Sequence, residues 1–182
     1  MEKEAIRYLG FGKHTVDNQT MRFIREAFQE LEQITELKYT YVVLPLTFEC
    51  EDCLRLGTLQ ISSKHLCKNL EGCKAAILFG ITLGTEVDRF IHRYEVANIA
   101  KAVVFQACAA AWIEKCCDEF QDNLNLQLRP RFSPGYGDFS ITYQKDILQI
   151  LDASKKIGLS MTDSYMLTPS KSVTAVIGIC DK

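Results

Sequence analysis

The chain has 182 residues, with 21 Lys and Arg against 23 Asp and Glu and a formal net charge of -2. Hydrophobic residues make up 47% and charged residues 24%, an ordinary globular balance that excludes a disordered chain. No dense basic run is present to neutralise phosphates, so no nucleic-acid partner is expected. No apolar run approaches the ~20 residues that span a bilayer, and the N-terminus, MEKEAIRYLG, lacks an apolar signal region. A chain of this length buries roughly 70% of its unfolded surface. Its eight cysteines are therefore expected to be free thiols in a cytoplasmic protein.

Residues 18–34 (NQTMRFIREAFQELEQI) set Met21, Ile24, Phe28 and Leu31 at helical spacing with charges between them. Residues 38–46 (KYTYVVLPL) are rich in aromatic and β-branched types and predict a strand. A second strand is predicted over 54–61. SSKHLCKNLEG then gives a serine-capped short helix, with Gly72 as its stop. Residues 75–81 (AAILFGI) are a continuous apolar run of strand length, hence a buried strand. Thr85 and Asp88 resemble a capping box at the head of a long helical segment reaching Phe120. A break is expected near residues 95–98, and the small-residue run 107–111 allows another element close. A helix is predicted over 143–156, stopped by Gly158. The final stretch, SYMLTPSKSVTAVIGIC, reads as two strands joined by a turn at Pro169 and Ser170. In the second, Val173, Ala175, Ile177 and Ile179 alternate as in a half-buried strand. Without regular β-α-β alternation, the order implies an α+β fold: an antiparallel or mixed sheet flanked by helices, with a long central helical segment, in a single domain spanning residues 1–182.

The segment RPRFSPGYGDF, residues 129–139, has the parts of a small-molecule clamp. Pro134-Gly135 suits positions i+1 and i+2 of a type II turn, with proline presetting φ and glycine accepting φ > 0. Such a turn reverses the chain between Arg131 and Tyr136. A guanidinium is a planar fork suited to carboxylate or phosphate, and a tyrosine ring stacks on heterocycles. Gly135 and Gly137 leave the backbone accessible to a ligand. The plainer reading is a connector carrying one surface arginine. Residues 80–85 offer helix N-terminal amides to an anion or simply cap the helix. Cys50 and Cys53 form a C-x2-C pair, but the spacing of Cys67 and Cys73 does not make a second zinc knuckle, and no metal site is expected. Nor does a thioredoxin-like βαβ pattern surround the pair. His14, His65 and His92 are scattered, and no nucleophile-base motif is present.

Three stretches together resemble the activation domain of cobalamin-dependent methionine synthase, in a stand-alone form. Arg131-Phe-Ser-Pro-Gly135-Tyr136 matches that family's R-x-x-x-G-Y signature. Residues 162–173 (TDSYMLTPSKSV) are similar to its C-terminal methionine- and proline-bearing stretch, and residues 81–111 look like its long helical portion. The resemblance covers roughly residues 55–182, with residues ~1–54 least well matched. It implies an α+β fold that binds S-adenosylmethionine. Arg131 would hold the methionyl carboxylate, and the Gly135-Tyr136 backbone would contact the adenosine. Pro134, Gly137, Arg129 and Ser172 complete the candidate binding set.

The resemblance further implies a function. The chain would act in trans on a cobalamin-bearing methionine synthase or another corrinoid protein, presenting S-adenosylmethionine for reductive remethylation of cobalamin. A flavoprotein would supply the electron indirectly. With 182 residues there is no room for homocysteine, folate and cobalamin modules, so the chain is a component rather than a complete catalyst. The chain also departs from the family. Gly137-Asp138-Phe139 replaces the usual P-x-C-P after Tyr136, Val176 or Ile177 stands where a ligand-contacting tyrosine is expected, and no N-terminal acidic contact to the ligand's ammonium is evident. These departures leave a second reading, an accessory module for a corrinoid protein that has lost S-adenosylmethionine binding. A third is a metal or redox protein that uses Cys50 and Cys53.

Overall fold

A computed structural model describes residues 1–12 and 15–180 of the chain; His14 lies outside the described residues. Two helices come first, α1 (Glu2–Tyr8) and α2 (Asn18–Ile34). Asp17 caps α2 by accepting from Thr20 N–H at 2.8 Å. The strand β1 (Lys38–Cys50) leads into β2 (Cys53–Leu56) and β3 (Leu59–Ser62). The single strand expected over 54–61 is thus a hairpin, because Gly57 at φ +59° turns the chain between two strands. Helix α3 (Lys64–Asn69) is capped by Ser63, whose hydroxyl accepts from Leu66 N–H. Then come β4 (Ala75–Thr82), α4 (Thr85–Ala97) and α5 (Ile99–Asn123). The expected break falls at Asn98, whose side chain caps α5 through Lys101 N–H. A 3-10 turn (Ile141–Tyr143) precedes α6 (Gln144–Leu151) and α7 (Ala153–Ile157), followed by β5 (Ser160–Met161), β6 (Leu167–Thr168) and β7 (Ser172–Ile179). The helix expected over 143–156 is broken by Asp152 in the left-handed region, and Gly158 ends it as expected.

Five strands form an antiparallel sheet in the order β3-β2-β1-β4-β7, with β5 and β6 paired separately. The fold is α+β. β6 does not pair with β7, so the Pro169–Ser170 turn links two sheets rather than closing a hairpin. Helices cover both faces. Ile77, Phe79 and Ile81 of β4 pack with α1, α2, α4 and α5, and Ala76 and Leu78 pack with α3, α6 and α7. β7 is accordingly buried on both faces from Thr174 to Gly178, not half-buried. Alternation marks which face a residue takes, but the second helical layer hides the other face as well. At the head of α4, Gly84 rather than Thr85 occupies the capping position. Asp88 is committed elsewhere: its carboxylate accepts from the amide and hydroxyl of Ser170 at 2.7 and 2.6 Å, pinning the β6–β7 turn to α4. Residues 81–84 are buried, so the Gly80–Thr85 loop caps and packs here.

Cys50 and Cys53 face each other across the β1–β2 turn and form a disulfide, which corrects the expectation of eight thiols. The other six are free and, except for Cys180, buried. Burial pushes the Cys108 and Cys117 thiols up to about 12, so they stay protonated and inert in the folded protein. Titration of the denatured, unreduced chain is therefore expected to count the six free cysteines, rising to all eight after reduction. A count of eight before reduction would remove the disulfide.

Candidate functional site

The segment after α5 is held against the open edge of β7. Arg129 N–H donates to Gly178 O at 2.8 Å, and Phe132 and Val176 exchange backbone bonds at 2.9 and 3.0 Å. The chain then turns sharply. Tyr136 N–H donates to Ser133 O at 3.2 Å, and Gly135 sits at φ +93°, the geometry of a type II turn with Pro134 at i+1. Phe139 is fully buried and stacks on Tyr143 at 5.4 Å between ring centres. Gly137 and Phe139 stand where the P-x-C-P pattern has proline and cysteine, and Asp138, at its open position, has a structural task. Its carboxylate accepts from Ser63 Oγ at 2.5 Å and from Lys64 and His65 N–H at 2.8 and 3.1 Å. The loop is stapled to the start of α3 by this residue.

The loop encloses a cleft against α5. One part, of about 520 Å3, is lined by Glu114, Asp118, Arg131, Phe132, Tyr136 and Val173 among others. A second part, of about 290 Å3, shares Glu114, Ser133, Tyr136 and Val173 with the first and extends past Pro134, Ser172 and Thr174. Its floor is polar and buried, with Gln144 Nε2 donating to Thr174 Oγ1 at 2.6 Å. Ser172 Oγ exchanges a hydrogen bond with Thr82 Oγ1 at 2.8 Å and donates to Pro169 O at 2.6 Å.

Arg131 is the charged centre of this cleft. Its guanidinium donates to Asp118 Oδ1 at 2.7 Å, to Glu114 Oε2 at 2.8 Å and to Gln121 Oε1. Those three acceptors stand at i, i+4 and i+7 on one face of α5. Burial works against the arginine's charge, but the Asp118 hydrogen bond and the surrounding negative charge outweigh it and raise the pKa. A cation and two carboxylates thus share one wall.

The structure brings Arg131, Pro134, Tyr136 and Ser172 to the cleft. Gly135 and Gly137 shape the loop through positive φ, and Gly137 packs against the His65 ring rather than the cleft. Arg129 lies apart, donating to Glu71 O at 2.7 Å on the far side of β7. Val176 and Ile177 are buried in the two cores. Glu114, Asp118 and Gln121 escaped the reading of the sequence, although their helical spacing on a run of small apolar residues is a signal. His92 is exposed beside Glu95 on α4. Among the described residues no group of three or more His, Cys, Asp and Glu side chains is placed to hold a metal ion, and no helix is long and apolar enough to cross a membrane.

No protein-family model matches the chain, and no curated protein matches it. Among solved structures, the fold is similar to the crystal structure of the MetH reactivation domain bound to AdoHcy, with a TM-score of 0.69 and 15% sequence identity. The match covers 92% of this chain and 67% of the other. It therefore extends into the N-terminal ~54 residues, where the motif resemblance is weakest.

Two outcomes test the loop. Hydrogen bonding from Ser63, then from the His65 and Lys64 amides, holds the Asp138 carboxyl below its ordinary range. A depressed pKa contributes stability above the unfolded Asp value of ~3.9 and loses it as pH falls through the folded value. Thermal melts from pH 6 down to pH 2 are expected to show a shallower acid limb for Asp138→Asn than for wild type. Gly135→Val is expected to cost on the order of 1–3 kcal/mol in melting or denaturant titration, because a β-branched side chain is strained at φ > 0.

Proposed function

We propose that the chain is a reactivation module that binds S-adenosylmethionine in this cleft and presents it, in trans, to a cobalamin-bearing methionine synthase or related corrinoid protein. The single observation that carries the reading is the placement of Arg131 between Glu114 and Asp118, at a cleft walled by the Pro134–Tyr136 turn. An α-amino acid head is a zwitterion. Arg131 would take its carboxylate through the planar fork, and the carboxylates of Glu114 and Asp118 would take its ammonium. The unliganded ion pairs would be exchanged for ligand contacts of the same sign pattern, and the negative charge left by one arginine against two carboxylates would be met by the ligand's sulfonium. Those two α5 carboxylates would also supply the acidic contact that the N-terminal segment does not. Tyr136 offers a ring for the purine, and the polar floor around Ser172 and Thr174 suits ribose hydroxyls. The partner's cobalamin would supply the methyl-accepting and electron-accepting chemistry. This chain's own residues would bind and orient the donor. The structural likeness to a domain crystallised with AdoHcy supports the reading at the level of fold.

A specific observation favours a second reading. Arg131 already has three acceptors, so its role would be to lock the loop onto α5 in an accessory module without a nucleotide.

Calorimetry with S-adenosylmethionine and S-adenosylhomocysteine separates the two. The first reading expects saturable binding by wild type. Arg131→Ala should lose about 2–5 kcal/mol of it, since a ligand carboxylate is left unpaired. Arg131→Lys should also bind weakly because a point charge does not reproduce the fork, and Arg129→Ala should bind as wild type does. Absence of binding by wild type would move the assignment to the second reading. Equal binding by Arg131→Ala would remove Arg131 from the site.

A further inference from the structure

Arg129, which the cleft does not use, belongs to a different cluster of side chains. Its guanidinium reaches Glu71 O at 2.7 Å, and its stem passes Gly178 on the way. A Cβ at Gly178 would meet Cys73 Sγ at 2.7 Å and Arg129 Cγ at 3.0 Å. Glycine there leaves the room in which the sulfur and the arginine stem sit. Ala75 of β4 pairs with Ile179 of β7, so the chain entering β4, with Cys73, and the chain leaving β7, with Cys180, run side by side. Cys180 N–H donates to Gln127 O at 2.8 Å, and its side chain packs against the core layer that holds Cys73 and Leu70. The Cys73 thiol is in hydrogen-bond contact with the Cys180 thiol and with the Arg129 guanidinium. Two free thiols and one cation thus meet at this end of the sheet. They differ in access: Cys73 is buried, while Cys180 is partly exposed.

We propose that Cys73 and Cys180 form a redox-active dithiol site, which hydrogen peroxide converts to a disulfide with Arg129 as the positioning residue. Cys180, the thiol that solvent reaches, reacts first. Its thiolate attacks one peroxide oxygen: an S–O bond forms, the O–O bond breaks and hydroxide leaves. Cys73 then attacks the sulfenic sulfur. The S–S bond forms, the S–O bond breaks, and the departing hydroxide takes the Cys73 proton and leaves as water. Both sulfurs are oxidised and the peroxide is reduced. Burial raises the pKa of the Cys73 thiol, and the adjoining guanidinium works against that rise. Negative charge that develops on this sulfur in the second step therefore has a cation beside it. Cys67, Cys108, Cys116 and Cys117 are buried away from the reagent, and Cys50 and Cys53 are already joined. The new bond would tie the exit of β7 to the entry of β4. It would lie beside the Arg129 N–H bond to Gly178 O, from which the cleft's loop departs.

Peroxide treatment of the native full chain, then denaturation, thiol counting and tryptic mapping without reductant, tests the site. Wild type is expected to lose two of its six free thiols. The mapping is expected to link residues 69–74 to residues 172–182, tryptic peptides that carry one cysteine each. Cys73→Ser is expected to stop at the sulfenic acid, which dimedone then labels at Cys180. Cys180→Ser is expected to keep its remaining free thiols at the same dose. Arg129→Gln is expected to slow disulfide formation and lengthen the life of the sulfenic acid, with the rate recovered in part by Arg129→Lys, which keeps a cation. Wild type that retains all six thiols, or links any other pair, overturns the proposal. Equal dimedone labelling of wild type and Cys73→Ser removes Cys73 as the resolving thiol, and an Arg129→Gln rate equal to that of wild type removes the arginine.

Discussion

One strand carries the architecture. β4 runs between β1 and β7 with eight residues paired on each side, and from Ala76 to Thr82 it is buried on both faces. Water reaches neither side, so its backbone groups must be satisfied by strand neighbours. β1 on one edge and β7 on the other are therefore obligatory. Its side chains then divide the interior in two. Phe79 stacks on Phe120 of α5 at 4.3 Å, while Leu78 points into the layer formed by α3, α6 and α7. Gly80 is small because a Cβ there would meet Leu151 at 3.1 Å.

The cleft is a by-product of that arrangement. β7 has β4 on one side only, and the chain leaving α5 fills part of the other through two short backbone bridges. Where the bridging ends, at Phe132, the chain lifts away in the Pro134–Gly135 turn. The space between the turn, α5 and β7 is what remains. Arg131 points across this gap to α5. The loop's distance from the helix is thus set by ion pairs that water reaches at the carboxylate side. Such pairs contribute little net stability, and that makes them exchangeable for a ligand's own charges.

The parts of this design that rest on short-range pattern were legible in the sequence. The apolar run at 75–81, the cap at Ser63, the break near Asn98 and the turn at Pro134–Gly135 each depend on residues within a few positions of one another. What was hidden depends on tertiary neighbours. The two-faced burial of β7 requires the second helical layer. Asp88, so placed in sequence that it resembles a capping residue, is claimed by Ser170 eighty-two positions away. Asp138 likewise had no task that the motif could assign until α3 was set beside it. Arg129 and Arg131 are equivalent in sequence. Two residues apart on a regular strand they would share a face, but residues 129–131 lie between the bridges at Leu128 and Phe132 and are not in a strand, so one reaches Glu71 and the other α5.

The anchoring of the 128–139 segment has a consequence for how such a molecule diversifies. Its first half is fixed by backbone bonds to β7, and its end is fixed by Asp138 on α3 and Phe139 in the core. Between these fasteners Pro134 is buried and Gly135 and Gly137 hold positive φ, which leaves Ser133 and the exposed Tyr136 as the side chains free to change. Those two positions behave as an interchangeable cassette. Replacements there can rewrite the chemistry of the opening while the framework that displays it is inherited unaltered.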